Sequence, residues 1–324
     1  MKKIVIIGAG QLGSRHLQGL AKSGQEISIE VVEPFETSRD TAKQRYEEIE
    51  KNPKITDINF YESIDQLSST LDVVIIATNS DVRSKIVKEL LSKKKVNNLI
   101  LEKVLFQTVD EYSEIKKLLD ETLTKCWVNH PRRMFPFYQK LREEIKGCKQ
   151  INYSVEGGAW GLACNSLHFL DHLSYLSDKS DCVIYNDLLD PKIYETKRAN
   201  YVEFNGLLTG KFDNHSFSIY SHKDQLPLSM TITTDVLKVH IDEGPGEIKI
   251  ARKNNDWKWE TSKEKIVYYQ SELSNILIDE ILTTGGCNLP CYDEAMKLHL
   301  VFIKSILLHT EKVDGKVHDV CPIT

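Results

Sequence analysis

IVIIGAGQLG, residues Ile4 to Gly13, reads as a short apolar strand, a glycine-rich turn and the opening of a helix. Its glycines fall at Gly8, Gly10 and Gly13, a G-x-G-x-x-G spacing in which each has its own task. Gly8 permits the tight turn, Gly10 lets backbone approach a phosphate, and Gly13 lets helix and strand pack closely. Amides at the new helix N-terminus, from Gln11 and Leu12, would then face the pyrophosphate of a dinucleotide. An ordinary strand–helix unit with an incidental glycine turn shows the same triplet, so the flanking sequence decides.

A helical pattern runs from about Leu12 to Ser23, and ISIEVVEP then reads as a second strand ending at Glu33. Glu33 lies 20 residues after Gly13, where a ribose-binding carboxylate is expected. A carboxylate there accepts hydrogen bonds from ribose hydroxyls and repels a 2′-phosphate, which favours NAD over NADP. Arg39 and Arg45 nearby pull weakly the other way.

Three further strand ends point to the same crevice, because ligands of open α/β sheets bind outside the carboxyl ends of the strands. LDVVIIAT, residues 71–78, is apolar enough for a strand buried on both faces and ends in Asn79-Ser80-Asp81 before a helix over Val82 to Ser92. Thr78 and Asn79 are candidates to touch the cofactor; Asn79 or Ser80 capping the helix is the compatible alternative. A strand from Asn98 delivers Glu102 and Lys103 to the same crevice, both candidates to contact the cofactor, and a helix over about Val109 to Thr122 follows. The next strand ends at Asn129-His130, with Arg132 and Arg133 beyond it and a helix from about Phe137 to Lys146. Strand–helix alternation of this kind predicts a doubly wound parallel sheet.

After Gly147 the texture changes. A strand over Gln150 to Gly157 and a helix over Asn165 to Leu176 precede β-like runs at 182–186, 201–212, 216–222, 229–234, 236–242, 247–253 and 257–259, joined by short turns such as DEGPGE. That is the pattern of an open antiparallel sheet. Helical periodicity returns over Ser271 to Thr283 and Asp293 to His309. The expected division is a dinucleotide-binding domain over 1–124 and a substrate-binding, oligomerising α/β domain over 125–324.

At 324 residues the chain can bury two cores. A hydrophobic fraction of 41% and a mixed-sign net charge of −5 suit a globular protein with a small-molecule substrate and argue against nucleic acid or an anionic membrane as partner. Seven cysteines, an odd number without C-x-x-C, suggest free thiols in a reducing compartment, and their spacing suggests no metal site. The first strand is expected directly after the start methionine and no apolar run approaches a membrane span of about 20 residues, so a cytoplasmic protein is expected.

In the second domain the chemistry concentrates in GGAWGLACNSLHFLDHLSYL, residues 157–176. If helical, Asn165, His168, Asp171 and His172 share one face. Such a cluster satisfies buried backbone groups, or leaves His172 simply facing solvent, or forms a site around His168.

With these pieces in place, the chain resembles the Gfo/Idh/MocA family of nicotinamide-dependent oxidoreductases. The likeness rests on GAGQLG, on ATNSD (77–81), on EKVL (102–105) for the family's E-K-P, on the helix with His168 and Asp171, and on LPCYDEAMKLHL (289–300) for its closing helix. It implies a Rossmann domain followed by an α/β domain whose open sheet often mediates oligomerisation, hence a homo-oligomer, dimer or tetramer. It also implies that Lys103 and His168 flank a sugar-type substrate as the acid/base pair. A base must take the alcohol proton as hydride leaves, and a lysine charge can stabilise the developing alkoxide. Asn165 and Asp171 become substrate contacts. The same would hold for Arg132 and Arg133 if they face the cleft, where their guanidinium forks would suit a carboxylate or phosphate on an anionic or nucleotide-linked sugar; a solvated pair at a helix start is the alternative.

Two positions depart from the family. Val104 stands where it has proline, and since a non-proline cis peptide costs roughly 3 kcal/mol, a cis bond is not expected there. Cys164 stands where relatives often have aspartate. A non-catalytic NAD-binding regulator and a hydrolase that recycles NAD are the competing readings; a regulator needs the glycine loop but not Lys103 and His168.

Overall fold

Apolar runs bounded by turn residues set out one parallel sheet in the computed structural model, which describes residues 1–196 and 198–324. Its strands and helices, in chain order, are β1 (Lys2–Ile7), α1 (Gln11–Leu20), β2 (Ile27–Val32), α2 (Glu36–Glu47), β3 (Ile55–Tyr61), β4 (Thr70–Ile76), α3 (Ser80–Lys93), β5 (Lys95–Leu101), α4 (Val109–Thr122) and β6 (Lys125–Val128). The strands order as β3-β2-β1-β4-β5-β6 and every neighbouring pair is parallel. Val5, Ile6, Ile29, Val31, Val74 and Ile75 are wholly buried, as strands covered on both faces require. The order reverses between β1 and β4, which stay paired as far as Ile7 and Ile76, and the connections that leave their carboxyl ends in opposite directions open a crevice there.

The chain divides into two units, Met1–Phe106, Asp110–Asn129 and Tyr268–Asp293 in one, and Gln107–Val109, His130–Val267 and Glu294–Thr324 in the other. The sequence placed the boundary after residue 124; instead β6 completes the first sheet by pairing with β5. Residues 268–293 also return to the first unit, because their helix, α7 (Gln270–Thr284), packs on α1. Periodicity marks where a strand or helix is, not which sheet or core recruits it.

In the second unit, α5 (Pro136–Glu144), β7 (Ile151–Gly158) and α6 (Leu162–Ser177) precede β8 (Cys182–Leu189), the two-residue strands β9 (Tyr194–Glu195) and β10 (Val202–Glu203), and β11 (Gly206–Phe212). Then come β12 (His215–His222), β13 (Leu226–Thr234), β14 (Leu237–Asp242), β15 (Glu247–Arg252) and β16 (Trp259–Lys263). The eight-stranded sheet runs β16-β15-β14-β13-β7-β12-β11-β8. It is antiparallel except where β12 lies parallel to β7, since the chain crosses from β7 through α6 to the far edge and zigzags back. Tyr153, Val155, Phe217, Ile219, Ile232 and Val239 alternate onto one buried face, against which α6 packs. The other face is polar, with Ser154 bonded to Ser218 at 3.1 Å and Thr231 to His240 at 3.1 Å.

Helix α7 (Gln270–Thr284) lies on α1 in the first unit, and α8 (Tyr292–Asp314) closes the chain's helical part. Among the described residues no helix is long and apolar enough to cross a membrane.

Candidate functional site

The glycine turn is built as its spacing requires. Gly8 sits at φ 87°, a left-handed conformation that penalises side chains, and a Cβ on Gly13 would lie 1.8 Å from the Gly8 carbonyl oxygen. Gly10 is the N-cap of α1, with no side chain capping the helix, and the space where its Cβ would stand is open to 4 Å. Backbone amides there are available to an anion.

Glu33, buried at the end of β2, shapes this turn. One carboxylate oxygen accepts from the Ala9 amide at 2.8 Å and the other from the Phe35 amide at 3.1 Å. An ionised carboxylate has about four acceptor sites, so two remain for ribose hydroxyls. Arg39 donates instead to the Glu33 and Pro34 carbonyls and to Glu62. Arg45 donates to Ser14 and Gln11. The two arginines that could have drawn a 2′-phosphate are thus engaged within the protein.

A cleft of about 530 Å³ opens beside the turn, lined by Gly8, Gly10, Glu33, Phe35, Thr78 and Asn79 among others. The Thr78 hydroxyl is buried and has no hydrogen-bond partner among the described residues, and Asn79 occupies the N-cap of α3 without making a side-chain capping bond. The capping alternative for Asn79 therefore does not describe its side chain. Uncapped helix amides, an open space over Gly10, a carboxylate at ribose position and an unpaired hydroxyl fit a dinucleotide.

At the end of β5 lies a polar cluster that the sequence did not reveal. Glu102 is 3% exposed; its Oε1 accepts from His16 Nε2 at 2.8 Å and from Asn129 Nδ2 at 2.5 Å. Burial pushes the Glu102 carboxyl up, yet His16, Asn129 and the charge of Arg83 outweigh it and hold the group below the ordinary carboxylate range. Glu102, expected to contact the cofactor, is thus engaged mainly with the protein. Lys103, next to it, is half-buried. The Lys103–Val104 peptide is cis, contrary to the expectation from the missing proline; local propensity is overridden by surroundings in which Val104 is fully buried and Arg83 donates to the carbonyls of Val104, Leu105 and Thr78. Arg83 was legible in principle: it shares the apolar stripe of α3 with Val87, Leu90 and Leu91, a core position for a charge.

In the second unit, Glu203 caps α6 from a distant strand, accepting from the amides of Ala163 at 2.7 Å and Cys164 at 3.0 Å. Asn165 donates to the Trp160 carbonyl at 2.7 Å. His168 is half-buried and lies edge-on to His130, ring centroids 5.4 Å apart.

The other polar residues on and around this helix are bonded within the protein. Arg133 grips Asp171 through two bonds, 2.9 and 2.7 Å, and reaches Glu294 at 2.6 Å. Arg132 grips Glu243 at 3.0 and 2.6 Å and stacks 4.2 Å over Phe169. Expected to meet a substrate anion, both forks are filled by the protein's own carboxylates, and Asp171, expected as a substrate contact, is 1% exposed.

His172, far from facing solvent, is wholly buried, with Nδ1 3.0 Å from the Tyr153 hydroxyl and its ring tilted at 53° against Tyr138, centroids 4.1 Å apart. Burial and then the charges of Arg132 and Arg133 drive its pKa well below 6.5. The unfolded chain therefore binds this proton first, so stability is full above the ordinary histidine range and falls as pH drops through it, at up to about 1.4 kcal/mol per pH unit. Urea midpoints between pH 7.5 and 5.5 should fall less in His172→Phe than in the wild type; equal falls would remove His172 as the cause.

The glycine turn, the cleft at the sheet's switch point and the acid at the end of β2 define the first unit as a dinucleotide-binding Rossmann domain. Residues 2–130 match the model of the Gfo/Idh/MocA family, described as an oxidoreductase family with an NAD-binding Rossmann fold. No curated protein sequence matches the chain. Among solved structures, an oxidoreductase from Agrobacterium radiobacter in complex with NAD+, L-tartaric acid and magnesium is similar with a TM-score of 0.71 and 12% identity, over 98% of each chain. UDP-N-acetylglucosamine 3-dehydrogenase from Acidithiobacillus ferrooxidans is similar at 0.68 and 13%, over 94% of this chain and 96% of that one. A super-repressor mutant of Gal80p from Saccharomyces cerevisiae is similar at 0.69 and 15%, over 99% and 98%. At these identities the likeness is one of fold. The resemblance to the Gfo/Idh/MocA oxidoreductases thus rests on the family match over residues 2–130.

Proposed function

We propose that the protein is an NAD(H)-dependent oxidoreductase acting on a ring carbon of a sugar or sugar derivative, nucleotide-linked sugars included. The observation that carries the cofactor half is the cleft beside the Glu33-braced turn, with its unpaired Thr78 hydroxyl. Gly8, Gly10, Gln11, Leu12 and Gly13 would hold the pyrophosphate, Glu33 the adenosine ribose, and Thr78 and Asn79 the nicotinamide end. Bound there, nicotinamide supplies the hydride acceptor or donor. Lys103 polarises the substrate oxygen and stabilises its negative charge, while His168 takes or returns the hydroxyl proton. Asn165 orients a hydroxyl but cannot replace the carboxylate that relatives carry at the position of Cys164. A homo-oligomer, dimer or tetramer, built through the polar face of the second sheet completes the reading.

The substrate half is supported by the fold shared with a nucleotide-sugar dehydrogenase. Purified protein with NAD should reduce it in the presence of a member of a panel of polyols, uronic acids and nucleotide-sugars, read as nicotinamide absorbance. Turnover of substrate without any absorbance change would favour the hydrolase instead. The Gal80p likeness keeps a non-catalytic regulator as the second reading; it binds NAD and turns over nothing in the panel.

Glu33→Gln should lower NAD affinity about tenfold, since it loses charge toward the ribose and charge-assisted bonds to Ala9 and Phe35, a loss on the order of 1–2 kcal/mol. NADP affinity should fall less, so the preference narrows. Titration of both cofactors by protein fluorescence decides it, and an unchanged ratio would show that Glu33 does not read the ribose.

A further inference from the structure

The residues on either side of Lys103 are each tied to a wall of the cofactor cleft. Before it, Glu102 is bonded to His16, which sits on α1, the helix whose first turn is the phosphate-binding end of the glycine turn. Its imidazole is fixed at the other nitrogen by Ser274 of α7, 2.8 Å away, and Asn129 at the end of β6 binds the same Glu102 oxygen. After it, the Val104 and Leu105 carbonyls are held by Arg83, whose guanidinium also holds the carbonyl of Thr78, a lining residue of the cleft. His16, Arg83, Glu102 and Asn129 are all at most 3% exposed.

Such a cluster is a poor way to gain stability. Taking charges out of water costs about what their attraction returns, and apolar residues of similar volume often serve the fold as well or better. What a buried network bonded from several sides does supply is a restricted geometry, here with the Asn129 Oδ1 left without a partner among the described residues. Lys103 is half-buried and carries a flexible side chain, so that geometry matters most at its Cα.

We propose that His16, Glu102 and Arg83 are positioning residues that couple the seating of the dinucleotide to the placement of Lys103. Dinucleotide bound at the glycine turn bears on α1 through its first turn and on Thr78 at the end of β4. Through His16–Glu102 and through Arg83 both elements bear on the backbone flanking Lys103. None of the three residues reacts; they fix where the lysine ammonium stands once the cofactor is in. The inference rests on the reading of Lys103 as the substrate-polarising group, but its test does not require turnover.

The test uses the full chain with its lysines reductively methylated with ¹³C-formaldehyde, the Lys103 resonance being assigned by its loss in Lys103→Arg. Saturating NADH should shift this resonance in the wild type. In the double variant His16→Phe with Glu102→Leu, NADH should still bind within about threefold of the wild-type Kd, and the thermal midpoint should stay within a few degrees, yet the shift should vanish. Arg83→Lys, which keeps the charge and loses the fork, should reduce the shift from the other side. Should the double variant fail to fold, Glu102→Gln carries the same comparison, with the shift at least halved. A shift that survives in every variant, or that is absent in the wild type, overturns the coupling. If instead the shift behaves as expected but Lys103→Ala leaves turnover intact, the coupling stands and the role given to Lys103 in the reaction fails.

Discussion

Lys103→Ala and His168→Ala should each cut kcat for nicotinamide reduction at least about a hundredfold while leaving NADH affinity within about threefold. The magnitude follows from what each group does. A positioned acid or base contributes roughly 10²–10⁴, and loss of one group that stabilises a developing oxyanion costs roughly 10²–10³. Binding should survive because, in the function proposed above, the glycine turn, Glu33 and Thr78 would hold the cofactor without either side chain. Stopped-flow absorbance with the substrate found by the panel gives both numbers. Wild-type kcat in either variant would strike that residue from the reaction, and unaltered turnover in both would return the protein to an NAD-binding scaffold whose chemistry lies elsewhere.

How far the sequence carried the reading depends on the kind of signal. The strands β1, β2, β4 and β5 were legible because they are nearly continuous apolar runs, and the turn at Gly8 to Gly13 because its glycines answer to sterics that no other residue meets. The strands of the second sheet were legible from alternation at Tyr153, Val155, Phe217 and Ile219. The parallel pairing of β12 with β7 was not, because alternation records which face a residue takes and says nothing of its neighbour strand.

At the candidate site the same limit appears as a limit on partners. Glu102, Arg132, Arg133 and Asp171 were recognised as chemically capable residues at strand ends or on a helix face. Their partners His16, Glu243 and Glu294 stand 86, 111 and 161 residues away. A charged residue in a sequence offers a charge; whether that charge meets a ligand or another side chain is decided by contacts of high sequence separation. Glu243 illustrates the point, since it sits in the turn sequence DEGPGE, where solvent exposure is the natural expectation, and is 8% exposed with Arg132 and Tyr138 bonded to it.

Arg133→Met should therefore destabilise the protein by about 3–5 kcal/mol, the cost of leaving a buried carboxylate without its counter-charge. Asp171 is the carboxylate: 1% exposed, with both oxygens taken by the Arg133 fork. Burial already pushes its pKa up, with Arg133 opposing that rise, so the variant should hold Asp171 protonated to still higher pH. A protonated Asp171 needs no counter-charge, and the deficit should accordingly shrink as pH is lowered through the carboxylate range. Arg133→Met combined with Asp171→Leu should recover most of the loss, because the pair removed together leaves no uncompensated charge. Had Arg133 instead been reading a substrate anion, Arg133→Met would raise KM and leave the urea midpoint where it was. Equilibrium unfolding of the four proteins of this cycle at pH 7 and pH 5, set beside KM for the substrate, separates the two roles: a KM effect without a loss of stability would give Arg133 back to the ligand.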